Sequence, residues 1–375
     1  MLKTADDVRP INLKYTYRYI RVVAKKTLKA KIVALTHNKQ SLLEAEYNNL
    51  QHFLQTGEDN GVYSANKQQA KRFYKIIKPD REYPLSIRND LIRVEHKPTT
   101  IAEYWMRIPI KAKRGGLWVA IKPHQPIPDD VVFCESKIHR THKGFFACIT
   151  IEKDIPTIQT KNILAVDLGE KVIATVCGSF DNQRPRFYGR DVRGIRRHYS
   201  WLRKRLGEKK LLGVIRRISD TEKRKVNDSL HKISRKIVDL AQEHNATIVL
   251  GELQGIRNHA KGRRMNRIVS NMPYLKLSQM IEYKAEWLGI PVIKMQEHDT
   301  SKTCSRCNEY GKRPTQAQFR CDTCHRVSFN ADYNGALNIL KRATSYMGVA
   351  GADCEPARDW GNDNQTSEAT QLVGW

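Results

Sequence analysis

Residues 162–178 read NILAVDLGEKVIATVCG. Two short runs of buried-type residues, ILAVDLG and KVIATVCG, follow one another almost directly and predict two strands of an internal sheet. Asp167 closes the first run, where a charge is out of keeping with its neighbours. FYG at 187–189 predicts a third strand. A long basic stretch follows and is expected to be helical. Its last part, NDSLHKISRKIVDLAQEH (227–244), sets Leu230, Ile233, Ile237 and Leu240 on one face, with Asn227 as the expected N-cap. TIVLGEL (247–253) predicts a buried strand with Glu252 near its end, LKLSQMIEYKAEWLG (275–289) a helix stopped by Gly289, and PVIKM (291–295) another strand. ADYNGALNILKRA (331–343) predicts an amphipathic helix with Tyr333, Ala336, Leu337 and Leu340 inward. Three strands, then helix, strand, helix, strand, helix is the order of an α/β RNase H-like sandwich.

The rest of the chain reads differently. Residues 11–33 alternate, with Tyr15, Tyr17 and Tyr19 on one side. KQSLLEAEYNNLQHFL (39–54) and ANKQQAKRFYKII (65–77) read as helices stopped by Gly57 and Pro79. Residues 100–153 return to strand-like runs: GGLWVAI, DDVVFC and FFACITIE. A helical segment therefore interrupts a β-rich region. With 375 residues, two or three domains are expected.

Charge narrows the function. The chain has 66 Lys and Arg against 39 Asp and Glu, a formal net charge of +27. Such an excess repels itself unless a polyanion neutralises it, and a polyanion also gains counterion release. Nucleic acid is the expected partner. A membrane is not: the sequence contains no apolar run of spanning length, no ordered signal peptide and no lipidation signal. An intracellular protein is expected, associated with the nucleoid of a prokaryote.

There are eight cysteines. Cys134, Cys148 and Cys177 lie among apolar residues and read as inert core thiols, and Cys354 falls in a polar tail. Cys304, Cys307, Cys321 and Cys324 form two CxxC knuckles, a spacing that lets four thiolates converge on one tetrahedral zinc. With all four positions filled by protein, that zinc is structural. Arg306, Lys312, Arg313, Arg320 and Arg326 decorate the knuckles, as a solvated face or as a nucleic-acid contact.

Asp167, Glu252 and Asp332 each have a dull explanation alone: a turn residue, a strand end, a helix-dipole partner. Together they point elsewhere. Two acids after buried runs carry a desolvation cost and repel one another. Divalent cations relieve both problems, and carboxylate oxygens suit Mg²⁺ or Mn²⁺. Two such ions in one site hydrolyse phosphodiesters, which gives the positive surface its substrate.

The segments AVDLGEK around Asp167, LGELQGI around Glu252, TSKTCSRC…CDTC, and NADYNGALNIL around Asp332 resemble the RuvC segments and embedded zinc ribbon of the TnpB family, transposon-encoded proteins related to compact type V CRISPR effectors. The resemblance covers roughly 160–342 and is looser before that. It implies a RuvC-like nuclease domain at 161–299 and 328–342 with a zinc ribbon inserted at 300–327. It also implies a β-rich wedge domain at 1–34 and 96–160 around a helical recognition region at 35–95. Residues 343–375 are expected to be a disordered tail on composition. The implied activity is RNA-guided cleavage of double-stranded DNA beside a short flanking motif, with a guide RNA from the transposon end. The implied cofactors are two Mg²⁺ (or Mn²⁺) on Asp167, Glu252 and Asp332, and one structural Zn²⁺. Asn308 departs from the family, which commonly has Gly after the second cysteine.

The stretch from Arg184 to Lys236 is expected to contact nucleic acid through Arg196, Arg197, Arg203, Lys204, Arg205, Arg216 and Arg217, with Tyr199 and Trp201 as stacking aromatics. Three rivals remain open on sequence: a DNA-joining DDE transposase, a non-enzymatic RNA-guided DNA-binding repressor, and a zinc-ribbon RNA-binding protein.

Overall fold

The computed structural model describes residues 21–142, 144–156, 158–252, 262, 273–296, 300–315, 317–324 and 326–347. The expected alternation at Tyr15, Tyr17 and Tyr19, Cys354, and most of the expected tail lie outside the described residues. The chain divides into two compact units, one at Val23–Ile155 and the other from Pro156 onward.

In the first unit, β1 (Arg21–Val33) leads into helices α1 (His37–Thr56) and α2 (Ser64–Phe73). Strands β2 (Leu85–Ile87), β3 (Arg93–His96), β4 (Tyr104–Ile110), β5 (Lys113–Pro123), β6 (Val132–Phe133), β7 (Ser136–Thr141) and β8 (Gly144–Pro156) follow. They form one sheet in the order β2-β7-β8-β1-β5-β4-β3, with β6 on β8. Alternation explains β1: Ala24, Leu28, Ala30 and Ile32 are buried, while Lys25, Thr27, Lys29 and Lys31 are exposed.

Thr36 caps α1 at its start, and Gly57 ends it at φ 82°, left-handed as a helix stop requires. Buried Glu46 of α1 accepts from Asn66 Nδ2 and from the Tyr63 and Lys111 amides, tying the two helices together. The helical part is shorter than expected. α2 stops at Phe73, not Ile77, leaving Ile76 exposed, and β2 and β3 already belong to the sheet. Pro79 and Pro84 prevent a longer helix there.

The second unit is built on β9 (Asn162–Asp167), β10 (Ala174–Gly178), β11 (Arg186–Tyr188), β12 (Ala246–Glu252) and β13 (Val292–Gln296), ordered β11-β10-β9-β12-β13. β9 and β10 pair antiparallel, as do β10 and β11. β12 runs parallel to both β9 and β13. Helices α3 (Arg190–Glu208) and α4 (Leu212–Glu243) connect β11 to β12, and α5 (Tyr274–Glu286) precedes β13. Strands β14 (Lys312–Thr315), β15 (Gln318–Cys321) and β16 (Arg326–Asn330) form a small separate sheet, and α6 (Ala331–Met347) closes the described chain.

The two faces of β9 explain its unbroken apolar run. Leu164 and Val166 pack with Leu230, Ile233 and Ile237 of α4 and Leu277 and Ile281 of α5. Ile163 and Ala165 pack on the other side with Tyr333, Ala336, Leu337 and Leu340 of α6. Two helix boundaries differ from expectation. Asn227 does not cap a helix: it lies inside the single 32-residue α4, where its side-chain oxygen accepts from Lys276 Nζ. Helix α6 continues to Met347, so residues 343–347 belong to it and not to a tail. Among the described residues no helix is long and apolar enough to cross a membrane.

Candidate functional site

Asp167 is the last residue of β9, opposite Thr175 of β10. Glu252 is the last residue of the neighbouring parallel strand β12. Register places Leu250 beside Val166, so both acids stand at the carboxyl edge of adjacent parallel strands, where open α/β sheets bind their ligands. The backbone of Glu252 pairs with Gln296, and its side chain lies outside what is described.

Asp332 arrives from far along the sequence. Asn330 ends β16 and caps α6, its Oδ1 accepting from the Asp332 and Tyr333 amides at 2.9 and 3.0 Å. That cap places Asp332 in the first helical turn. Tyr333 donates its hydroxyl to the Gln183 carbonyl at 3.1 Å, anchoring the turn beside β10.

One turn on, Gly335 meets Asp167. A Cβ at Gly335 would lie 2.7 Å from Asp167 Oδ2, so only glycine lets the helix come this close. The electrostatics follow from the crowding. Burial, and then the Asp332 charge, push the Asp167 carboxyl up to about 7. Burial also raises Asp332, against Arg313, Lys171 and Arg190, which favour its charged form. Arg313 of β14 reaches Asp332 Oδ1 at 3.8 Å. Two carboxylates whose proton affinity is raised by burial, with the Asp332 charge adding to the rise at Asp167, are a donor set suited to a hard divalent cation.

The four knuckle cysteines have ligand sulfurs all within 4.8 Å of one another. Cys304 and Cys324 are 3.7 Å apart and Cys307 and Cys321 3.5 Å. Zn–S bonds of 2.3 Å at tetrahedral angles require about 3.8 Å between sulfurs, and these two pairs stand close to that spacing, so the cluster suits a zinc ion. Burial and then the neighbouring thiols push Cys307 up to about 12. Asn308 sits at φ 62°, the left-handed turn for which glycine is the usual choice and which asparagine also accepts. The knuckle continues through the Asn308 amide to the Cys304 carbonyl and the Cys304 amide to the Glu309 carbonyl, and Phe319 packs beneath it. The other thiols differ in burial. Cys177 is fully buried, while Cys134 and Cys148 are half-buried; burial raises the pKa of all three, which keeps them protonated.

The basic residues of α3 and α4 separate into two groups. Arg197, Lys204, Arg205, Arg216 and Arg217 are exposed. Arg203 is held by Glu222 across the helical hairpin, and half-buried Arg196 has its pKa lowered by burial. Tyr199 is not a stacking surface: it is 7% exposed, with Lys225 over its ring. Trp201, 55% exposed, carries Arg205 at 5.7 Å from its ring.

Sequence reasoning missed Gly335, Asn334 and Asn338, and left Arg313 as one of several decorating cations. A glycine inside an amphipathic helix was the available signal for Gly335, since it costs about 1 kcal/mol there without a packing reason.

Residues 274–339 match the family described as Cas12f1-like, TNB domain. A TnpB-like protein of Methanocaldococcus jannaschii is 29% identical over 206 residues, 52% of this chain and 74% of that protein. The CRISPR-associated endodeoxyribonuclease Cas12f2 of a Micrarchaeota archaeon is 33% identical over 198 residues, 48% of this chain and 36% of that longer protein. A putative RNA-guided DNA endonuclease of Streptomyces pristinaespiralis is 25% identical over 311 residues, covering 78% and 73%. The cryo-EM structure of a Cas12f1-sgRNA-target DNA complex superposes on 74% of this chain and 68% of that one at TM-score 0.50 and 15% identity, a likeness of fold.

Proposed function

We propose that this chain, a member of the TnpB family, is an RNA-guided endonuclease that cleaves double-stranded DNA beside a short flanking motif, using a guide RNA from its transposon's end. The observation that carries the reading is the meeting of Asp167 and Asp332, from opposite ends of the unit, at the carboxyl edge of the sheet where Glu252 also ends. Asp167, Glu252 and Asp332 would hold two Mg²⁺ or Mn²⁺ ions. Bound there, the cations would supply an activated water and charge for the leaving oxygen. Asp167 would give up the proton that crowding makes it keep, and Asp332 would exchange part of its pairing with Arg313 for the metal. Arg313, beside Asp332, would then offer its charge to the scissile phosphate. The knuckle cysteines would hold one structural zinc.

Base pairing with the guide would read sequence, while the exposed cations of α3 and α4 hold backbone and Val23–Ile155 reads the flanking motif. The test is cleavage of a plasmid library by complexes carrying two different guides, with and without EDTA. Guide-directed, metal-dependent cutting that is lost in Asp167→Ala, Glu252→Ala and Asp332→Ala supports the reading. Identical cutting with both guides overturns RNA guidance and leaves a metal nuclease.

A further inference from the structure

Helix α6 touches both candidate metal centres within one turn. Asn334 is fully buried and straddles Cys304: its Oδ1 accepts from the Ser305 amide at 2.9 Å, and its Nδ2 donates to the Thr303 carbonyl at 2.8 Å. Asn338, four residues on and on the same face, donates to the carbonyls of Thr300 and Thr303, both at 2.7 Å. The backbone on each side of a knuckle cysteine is thus fastened to the helix by two buried amides. The same short segment carries Asp332 at its start and, at Gly335, rests on the Asp167 carboxylate. Ribbon strand β16 ends in the Asn330 cap that sets Asp332, and ribbon residue Arg313 pairs with it.

We propose that Asn334 and Asn338 are positioning residues that couple the zinc knuckle to the nuclease acids, so that the ordering of the knuckle by zinc sets the affinity of Asp332 and Asp167 for the divalent metal. The coupling rests on the reading of those acids as metal ligands. Its physical basis is that a helix is stiff along one turn. A shift of the knuckle backbone cannot be absorbed between Asn334 and Asp332, two residues apart, and the close approach at Gly335 leaves no slack against β9. Coupling of this kind is reciprocal: occupancy of the acids must be felt at the four sulfurs.

The test uses the full chain with its RNA. Asn338→Ala and Asn334→Ala are compared with wild type and Asp332→Ala for zinc content, RNA binding, Mn²⁺ binding by electron paramagnetic resonance, and cleavage against Mn²⁺ concentration. Asn338→Ala is expected to keep its zinc and its RNA, to bind Mn²⁺ about tenfold more weakly, and to recover its maximal cleavage rate at high Mn²⁺. Asp332→Ala should not recover. In wild-type protein with Co²⁺ replacing zinc, adding Mg²⁺ should shift the thiolate–cobalt absorption, and Asn338→Ala should abolish that shift, a measurement that stands even where Asn334→Ala misfolds. Unchanged Mn²⁺ affinity in Asn338→Ala together with a Mg²⁺-insensitive cobalt spectrum in wild type overturns the coupling. Unchanged Mn²⁺ affinity in Asp332→Ala overturns instead the assignment of the acids.

Discussion

Gly335 lies against the Asp167 carboxylate so closely that a single methyl group on it would come within 2.7 Å of Oδ2. Helix and strand therefore meet through the one side chain that has no volume. On propensity alone Gly335→Ala stabilises a helix by about 1 kcal/mol. Here it should instead push α6 away from β9 and displace Asp332. Displacements near 1 Å cost on the order of 100-fold in rate. Guided cleavage by Gly335→Ala should fall by that order with RNA binding intact; wild-type cleavage would show that the approach is dispensable.

The raised pKa of Asp167, about 7, has a definite sign in stability. An unfolded Asp releases its proton near pH 4. Between those values the folded, metal-free protein binds more protons than the unfolded chain, so stability falls as pH rises from about 4 to 7 and stays low above that. Below both values the residue contributes no cost. Thermal unfolding without divalent metal should therefore drop between pH 5 and pH 8. Asp167→Asn should remove much of that drop while abolishing cleavage, and Mg²⁺ should restore stability at pH 8 only in the wild type. A melting temperature indifferent to both pH and Mg²⁺ would contradict the crowding at this carboxyl.

Elemental analysis should find one zinc per chain, because four cysteine sulfurs converge within 4.8 Å of one another. Cys307→Ser should lower the unfolding temperature by roughly 5 °C or more. Asn308→Gly should leave the ribbon unchanged, since either residue accepts φ 62°, whereas Asn308→Val should destabilise it. Full stability of Asn308→Val would mean that the turn is free to leave the left-handed region.

Three successive cations on α3, Arg203, Lys204 and Arg205, should not behave alike. Lys204→Ala with Arg205→Ala should flatten the salt dependence of binding to duplex DNA by about 0.9 for each phosphate that is no longer neutralised. Arg203 is engaged by Glu222. Arg203→Ala should cost about 1 kcal/mol or less of stability and leave the salt slope alone. Equal slopes for the two variants would remove the distinction between exposed and paired cations.

The central sheet was legible because β9 and β12 are covered on both faces and their residues are therefore continuously apolar. The knuckles were legible because their partners lie close in sequence. Asn227 misled because the amino-terminal half of α4 is dominated by charges, so a capping residue before an apolar stripe looked like a beginning; the helix runs through it from Leu212. The roles of Asn334, Asn338 and Gly335 could not be read, since their partners lie 29, 38 and 168 positions away and only the folded chain brings them together. Asn308, when seen as a letter a departure from the pattern the sequence resembles, adopts the left-handed turn that glycine also favours.

The side of the sheet formed by Ile163, Ala165, Cys177 and Val249 is covered by α6. During synthesis, β9, β10 and β12 leave the ribosome well before that helix. At ordinary elongation rates the intervening segment takes several seconds to emerge, and for that time one apolar side of the sheet is bare. Asp332, the third acid of the proposed site, rides on the same late helix. A nascent chain is therefore sticky until α6 docks, and a ribosome stalled before residue 331 releases a product that cannot cover this side of its sheet.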